Sequence, residues 1–415
     1  MNTDTVNSIN SQINTAPIEN KERMIEIDIL RGFALFGILV ANMMLFASPS
    51  LYTSMLAGGG MEGGVDQVVQ QLIYLFVDYK FITMFSFLFG VGFMIFLERV
   101  RQKGKNGVIL YIRRLSILLV IGLIHSYFIW FGDILLVYAI LGFFLLLFRN
   151  SKPRTLFIWA VSLLVIPSVW IAMNTFIPQV VTFGPPLAPP SEAIHQLIDD
   201  SYRAYGSGSY LDMLQQRIVD MSMVQESSVT LIPMTFAMFL FGAYVWQKNW
   251  LHRLKANNRL LRRVWYYSGL IGSIFLIGQL ILHAQVDAAK SGYNYAHFAG
   301  ALISGPAMSI FYITTLFLLL QKDVWRKRLS PLQDTGRMAL THYLLQSVVG
   351  TFLFYNYGLG LYGEVGAFAG FLLSCMIFAI QIVISKYWLH HFRFGPCEWL
   401  WRSLTYGKWQ TNRLK

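Results

Sequence analysis

The chain has 415 residues, 55% hydrophobic and 13% charged, where soluble globular proteins carry about 25% charged residues. That deficit, with 15% aromatics and a mean hydropathy of +0.50, excludes an ordinary soluble enzyme and calls for a lipid bilayer as solvent. The formal charge of +12 could suit nucleic acid, but the 33 Lys and Arg residues fall in blocks between apolar spans, so no nucleic-acid partner is expected.

Residues 1–24 are polar, lack apolar periodicity and read as a disordered tail. The first apolar run opens with Asp28 and Arg31, too far into the chain for a signal peptide, and reads as an uncleaved signal-anchor helix. Ten apolar stretches follow the length rule for spanning helices: 29–48, 70–97, 108–126, 128–148, 155–177, 229–247, 265–285, 296–321, 336–357 and 366–388. The expected fold is therefore all-α and polytopic. Helices 1–5 lie in 25–177, an outer segment in 178–228, helices 6–10 in 229–388 and an interfacial C-terminal segment in 389–415.

Counting alternate connections from the N-terminus puts 29 of the 33 basic residues on one side. The positive-inside rule makes that side cytoplasmic and predicts both termini there. Arg203, Arg217 and Lys290 fall on the other side, and Lys80 falls inside a span. The outer segment opens with FGPPLAPPSE, whose prolines break helices. EAIHQLIDDSYRAY and YLDMLQQRIVDMSMV then carry apolar residues at helical spacing and predict two short helices across the outer face. KNWLHRLKANNRLLRR, between the sixth and seventh spans, reads as a basic amphipathic stretch on anionic headgroups.

Ionisable and polar groups at bilayer depth mark a pathway or site. Arg31 and Asn42 are eleven residues apart and share a helix face, with Asp28 one turn before Arg31 and able to pair with it. The same pattern suits a snorkelling anchor with an interhelical Asn bond. Asp78 and Lys80 lie in the second span and, at i and i+2, need separate partners. Arg114 and His125 repeat the eleven-residue spacing, and Asp133 follows His125 across a short connection. A carboxylate orienting an imidazole makes His125 the best general-base candidate, although a His at an aromatic boundary also suits a helix cap. In the ninth span His342 and Gln346 share a face, lining a cavity or stitching helices. Glu398 and Arg402, at i and i+4 in FRFGPCEWLWRSLTYGKW, predict a helical ion pair. The two cysteines, Cys375 and Cys397, suit neither a disulfide framework nor a zinc site. The histidines form no metal-spaced set, and phosphate-loop and dinucleotide motifs are absent from the sequence.

EIDILRGFALFGILVANM, RRLSILLVIGLIHSYFIWFGDILLVYAILG, GRMALTHYLLQS and FRFGPCEWLWRSLTYGK together resemble the YeiB-like family of bacterial inner-membrane proteins, whose members carry a domain of unknown function. The resemblance covers most of the chain and implies a bacterial cytoplasmic membrane location. That family is in turn similar to a transmembrane acyltransferase superfamily, which includes heparan-alpha-glucosaminide N-acetyltransferases and O-acyltransferases acting on cell-surface glycans. Those proteins take acyl-CoA from the cytoplasm and acylate an acceptor on the far side. The matching positions are Asp28, Arg31, Gly32 and Asn42. The chain departs from both types at the decisive residue. Asn42 stands where the O-acyltransferase type has His, and Thr53 where the glucosaminide type has its catalytic His.

The resemblance implies acetyl-CoA or another acyl-CoA as co-substrate, with no tightly bound cofactor, and a glycan or lipid acceptor. Arg31, Asp28, Arg114 and Arg337 would hold CoA at the cytoplasmic mouth, and Arg can grip phosphate through charge-assisted hydrogen bonds. His125 with Asp133 would act as base, with Asn42 or Lys80 stabilising the oxyanion. Asp78, Lys80, His342 and Gln346 would meet the substrate. The alternative class is a transporter or lipid-handling protein, in which the same buried charges form a substrate or proton path.

Overall fold

The computed structural model describes residues 24–56, 63–102, 106–176, 191–251, 253, 258–284 and 291–414. The expected N-terminal tail, apart from Met24, and most of the proline-rich opening of the outer segment lie outside them, as do His252 and residues 254–257 of the basic amphipathic stretch. Among the described residues the chain is all-α, with a single isolated bridge between Phe392 and Arg413. Each of the ten apolar stretches coincides with an apolar helical segment. Seven are long enough to cross a bilayer, and Leu135–Phe148, Leu231–Gln247 and Ala339–Phe354 are shorter.

The first helix, α1 (Ile25–Ala47), carries Glu26 and Asp28 in its first turn, where acidic side chains favour the helix dipole. It is the hub. In its most apolar window 61% of residues are buried, against 22% for the span Gly107–Ile129. Besides the short α2 (Ser50–Thr53), it packs on five longer helices: α4 (Lys80–Gln102), α11 (Ser291–Leu320), α12 (Asp323–Arg337), α13 (Ala339–Phe354) and α14 (Ala367–His391). The closest crossing is with α12. A side chain at Gly32 would meet the Leu332 carbonyl oxygen at 2.2 Å, and one at Gly336 would meet that of Asp28 at 1.9 Å, so both positions require glycine. Residues 322–337 read from sequence as a basic loop between spans; the structure makes 323–337 a helix strapped across the start of α1.

Two further expectations change. The second span is two helices, α3 (Val65–Phe76) and α4, broken where Tyr79 has φ 65°. The buried Lys80 amine donates to the Tyr74 carbonyl at 2.9 Å, satisfying one of the orphan acceptors that the end of α3 leaves. Among the described residues of the outer segment, α8 (Ser191–Gly206) is the one separate short helix. The second expected helix runs straight into the sixth span as α9 (Tyr210–Gln247), a 38-residue helix opened by a Ser209–Asp212 capping box. Helical spacing alone does not mark where an interfacial helix would stop, and Pro233 sits inside α9 without ending it.

The remaining helices are α5 (Gly107–Ile124), α6 (Leu135–Leu145), α7 (Pro153–Phe176), α10 (Asn258–Ala284) and α15 (Pro396–Tyr406). Asn106 caps α5 by accepting from Val108 N at 3.1 Å and Ile109 N at 3.4 Å. Buried hydroxyls and amides are spent between helices. Ser86 bonds Tyr138 across α4 and α6 at 2.6 Å, and Ser304 donates to Gln279 across α11 and α10 at 2.8 Å.

Candidate functional site

The sequence-derived candidates separate into two clusters at opposite ends of α1 and α5. At the start of both helices lies a basic end. Arg31 pairs with Asp28 at 2.8 Å and keeps 30% of its side chain exposed. Arg114 lies within electrostatic range of Arg31, and Arg402, on α15, within range of Arg114 and Arg99. Burial first, and then the neighbouring Arg114 and Arg99 charges, push the Arg402 guanidinium down to about 10. Aromatic faces hold these cations in place of carboxylates. Arg114 sits 3.7 Å from the Trp401 ring centroid, and Arg402 sits 4.6 Å from that of Phe394. Trp401 also donates its indole N–H to the Arg114 carbonyl at 2.9 Å.

Glu398 does not form the expected ion pair with Arg402. Its carboxylate instead accepts from Leu340 N at 2.7 Å, Thr341 N at 3.1 Å and the Thr341 hydroxyl at 2.5 Å. It thereby caps the N-terminus of α13, where the helix dipole favours a negative group. Burial pushes this carboxyl above its ordinary value. Arg337 bonds Asp334 at 3.1 Å and the Arg393 carbonyl at 3.5 Å.

At the other end α5 gives way to a π-turn, His125–Ile129, closed by Trp130 N donating to the His125 carbonyl five residues back at 2.9 Å. Single π-turns of this kind occur often at functional positions. His125 is 1% exposed, and its Nδ1 meets Asp133 Oδ1 at 2.7 Å. The other Asp133 oxygen accepts Leu136 N at 2.6 Å, anchoring the carboxylate on the first turn of α6. In the neutral ring, donation from Nδ1 to Asp133 leaves the lone pair at Nε2. That Nε2 is buried and has no partner among the described residues.

Tyr343, on α13, fixes the connecting loop. Its hydroxyl accepts from Ile134 N at 3.1 Å and lies 3.3 Å from the Gly132 carbonyl, while its ring packs 5.4 Å from the His125 ring. Trp130 packs on Phe46 of α1 at 4.0 Å, and its indole nitrogen is likewise buried without a partner among the described residues. Asn42 lies one turn before Phe46 on α1, half-buried and without a side-chain hydrogen bond to the described residues.

The other candidates lie apart from the dyad. His342 Nε2 meets Ser385 at 2.6 Å, and the Ser385 hydroxyl donates to the Gln381 carbonyl at 2.6 Å. Gln346 donates to Gln381 at 3.0 Å, and Gln381 donates to the His342 carbonyl at 3.3 Å. These bonds tie α13 to α14 and leave His342 Nδ1 buried without a partner among the described residues. Asp78 lies half-buried at the break between α3 and α4. The residues that sequence reasoning missed are Tyr343, Trp401, Arg402 in its cationic cluster, and Arg217. Only Arg217 carried a signal, as one of the few basic residues that fall away from the side holding most of them.

Residues 245–408 match a family model described as "Protein of unknown function (DUF418)". "Uncharacterized protein YxaH" of Bacillus subtilis (strain 168) is 40% identical over 411 residues, covering 95% of this chain and 97% of the relative. The chain belongs to the DUF418 family. Two further relatives of this DUF418 chain are also similar over nearly their whole length. An "Uncharacterized 39.9 kDa protein in amylase 3'region" of Bacillus acidopullulyticus is 31% identical over 398 residues, covering 94% of this chain and 96% of its own. "Uncharacterized protein YeiB" of Escherichia coli (strain K12) is 28% identical over 394 residues, covering 92% and 96%.

Proposed function

We propose that this DUF418 protein is a membrane-embedded acyltransferase, moving an acyl group from cytoplasmic acyl-CoA to a hydroxyl or amine on the far side of the membrane. The observation that carries the reading is the His125–Asp133 pair: an oriented, buried imidazole whose Nε2 is committed to no described protein group. The crowded arginines at the basic end support it, because guanidiniums packed against one another attract a polyanion such as the phosphates of CoA. Arg114 and His125 are eleven residues apart, about 16 Å along a helix axis. The thin pantetheine arm of CoA suits that interval.

In this mechanism Nε2 takes the proton of the acceptor as its oxygen or nitrogen attacks the thioester carbonyl. Asn42, half-buried with its amide uncommitted, suits the resulting oxyanion better than Lys80, whose amine is engaged with Tyr74. Collapse breaks the C–S bond, and His125 returns the proton to the departing thiolate. His125→Ala is expected to lower transfer from radiolabelled acetyl-CoA by about 10²–10⁴-fold, the range for a lost general base. Full activity in a folded His125→Ala protein would remove the assignment.

A transport reading draws on the break between α3 and α4, where Asp78 sits beside an interrupted span, since interrupted helices often line substrate paths. Substrate flux in liposomes that depends on Asp78, in a protein that binds no acyl-CoA, would favour it.

A further inference from the structure

Arg217 is 1% exposed on α9, yet its guanidinium makes one hydrogen bond to the described residues, from Nη1 to the Tyr127 carbonyl at 2.8 Å. Nε and Nη2 are buried without a partner among them. Arginine has five donors, and burying its charge without a counter-charge is costly, so such a group needs an anion. The nearest carboxylate does not supply it. Asp220, one turn along α9, accepts from the hydroxyls of Tyr52 and Tyr205, and from Gln216 at 2.9 Å. It lies in the field of Arg217 without bonding to the guanidinium, so Nε and Nη2 stay unanswered among the described residues. On the other side of Arg217 lies Tyr355, fully buried, within electrostatic range of the guanidinium and with its own hydroxyl lacking a described protein partner.

Arg217 reaches the turn that carries the dyad: its acceptor Tyr127 lies two residues after His125 on the same π-turn, and Tyr355 follows the far end of α13, twelve residues beyond the Tyr343 that packs on His125. We propose that Arg217, with the Tyr355 hydroxyl, binds a phosphate or carboxylate group, and that this group belongs to the acceptor presented to His125. The anion site stands on the burial and hydrogen bonding of Arg217. Its assignment to the acceptor rests on the acyl-transfer reading. The acceptor class is then an anionic hydroxyl or amine compound rather than a neutral sugar. The same recognition would take a lipid headgroup or a soluble phosphate.

The test is titration of the full-length protein in neutral detergent with inorganic phosphate, acetate and dioctanoyl phosphatidylglycerol, using dioctanoyl phosphatidylcholine as the zwitterionic control. At least one anionic probe is expected to bind saturably where phosphatidylcholine does not, with affinity about tenfold or more weaker in Arg217→Gln, the scale of a lost charged hydrogen bond. Binding of phosphatidylglycerol alone would identify a lipid headgroup, and binding of phosphate or acetate a soluble anion; both support the site. No binding by any anionic probe, or equal affinity in Arg217→Gln, would overturn it. Should that variant not fold, Tyr355→Phe decides, since it deletes a hydroxyl with no described protein partner: several-fold weaker binding supports the site and unchanged affinity overturns it. The two readings fail separately. Anion binding that needs Arg217, in a protein without acyl transfer, removes the enzyme and keeps the site. Transfer that needs His125 but is indifferent to Arg217→Gln keeps the enzyme and removes the assignment of the anion to the acceptor.

Discussion

The two ends of the bundle handle buried charge in opposite ways. At the basic end like charges are gathered: Arg402 lies within the fields of Arg114 and Arg99, Arg114 and Arg402 are held by the faces of Trp401 and Phe394, and Glu398 is spent on a helix cap. At the dyad end polar groups are matched atom to atom, with His125 on Asp133 and the Asp220 oxygens taken by two tyrosines and a glutamine, while Arg217 keeps nitrogens that no described group answers. A gathered field selects a ligand by its charge and tolerates variation in shape. A matched, dry site selects through single atoms, because each uncommitted donor or acceptor is expensive to leave unanswered. On the acyl-transfer reading, binding of a charged donor falls to one end and bond-making to the other.

Asp133→Asn is the sharpest way to break that division. Losing the carboxylate that orients His125 is expected to lower transfer by about 10²–10⁴-fold, while acetyl-CoA affinity, read by calorimetry, stays unchanged; a parallel loss of affinity would merge the two ends. Arg402→Gln should do the converse. Removing one cation is expected to weaken acetyl-CoA binding by about tenfold, to flatten its salt dependence and to leave the single-turnover rate at saturation unaltered.

Glu398→Ala tests whether the basic end depends on its cap. Loss of the acceptor at the start of α13 should cost about 1 kcal/mol of stability in detergent, with little change in transfer by the folded fraction. The smallest effect is a pH dependence. Because burial raises the Glu398 carboxyl, its linked contribution to stability is fully present below the ordinary glutamate value and is lost as pH rises through the raised one. Glu398→Gln, which does not titrate, should flatten that part of the thermal-stability profile.

Much of the fold was legible in the sequence because bilayer insertion leaves a long, one-dimensional signal: all ten apolar stretches are helical. The dyad was legible because His125 and Asp133 are eight residues apart across a turn too short to separate them. The break at Tyr79 was not: Asp78 and Lys80 interrupt the apolar run there but read as polar groups within one span, and the bend rests on one backbone angle. Glu398 misled because its nearest opposite charge along the chain, Arg402, is not its partner in space: the open N-terminus of α13 offers it two backbone donors. Tyr343 reaches the dyad from over two hundred residues away, and no local pattern announces that.

The π-turn at His125 makes the dyad a matter of counting. A π-turn amounts to an α-turn lengthened by one residue, and here the surplus falls between the imidazole and the loop that returns its carboxylate. Shortening this stretch by one residue would leave hydropathy and span length almost untouched, yet would swing the downstream chain by about 100° and aim Asp133 at a different neighbour. On the acyl-transfer reading such a deletion would keep the features of a membrane protein and lose catalysis, so alignments among relatives need correct spacing here more than high identity.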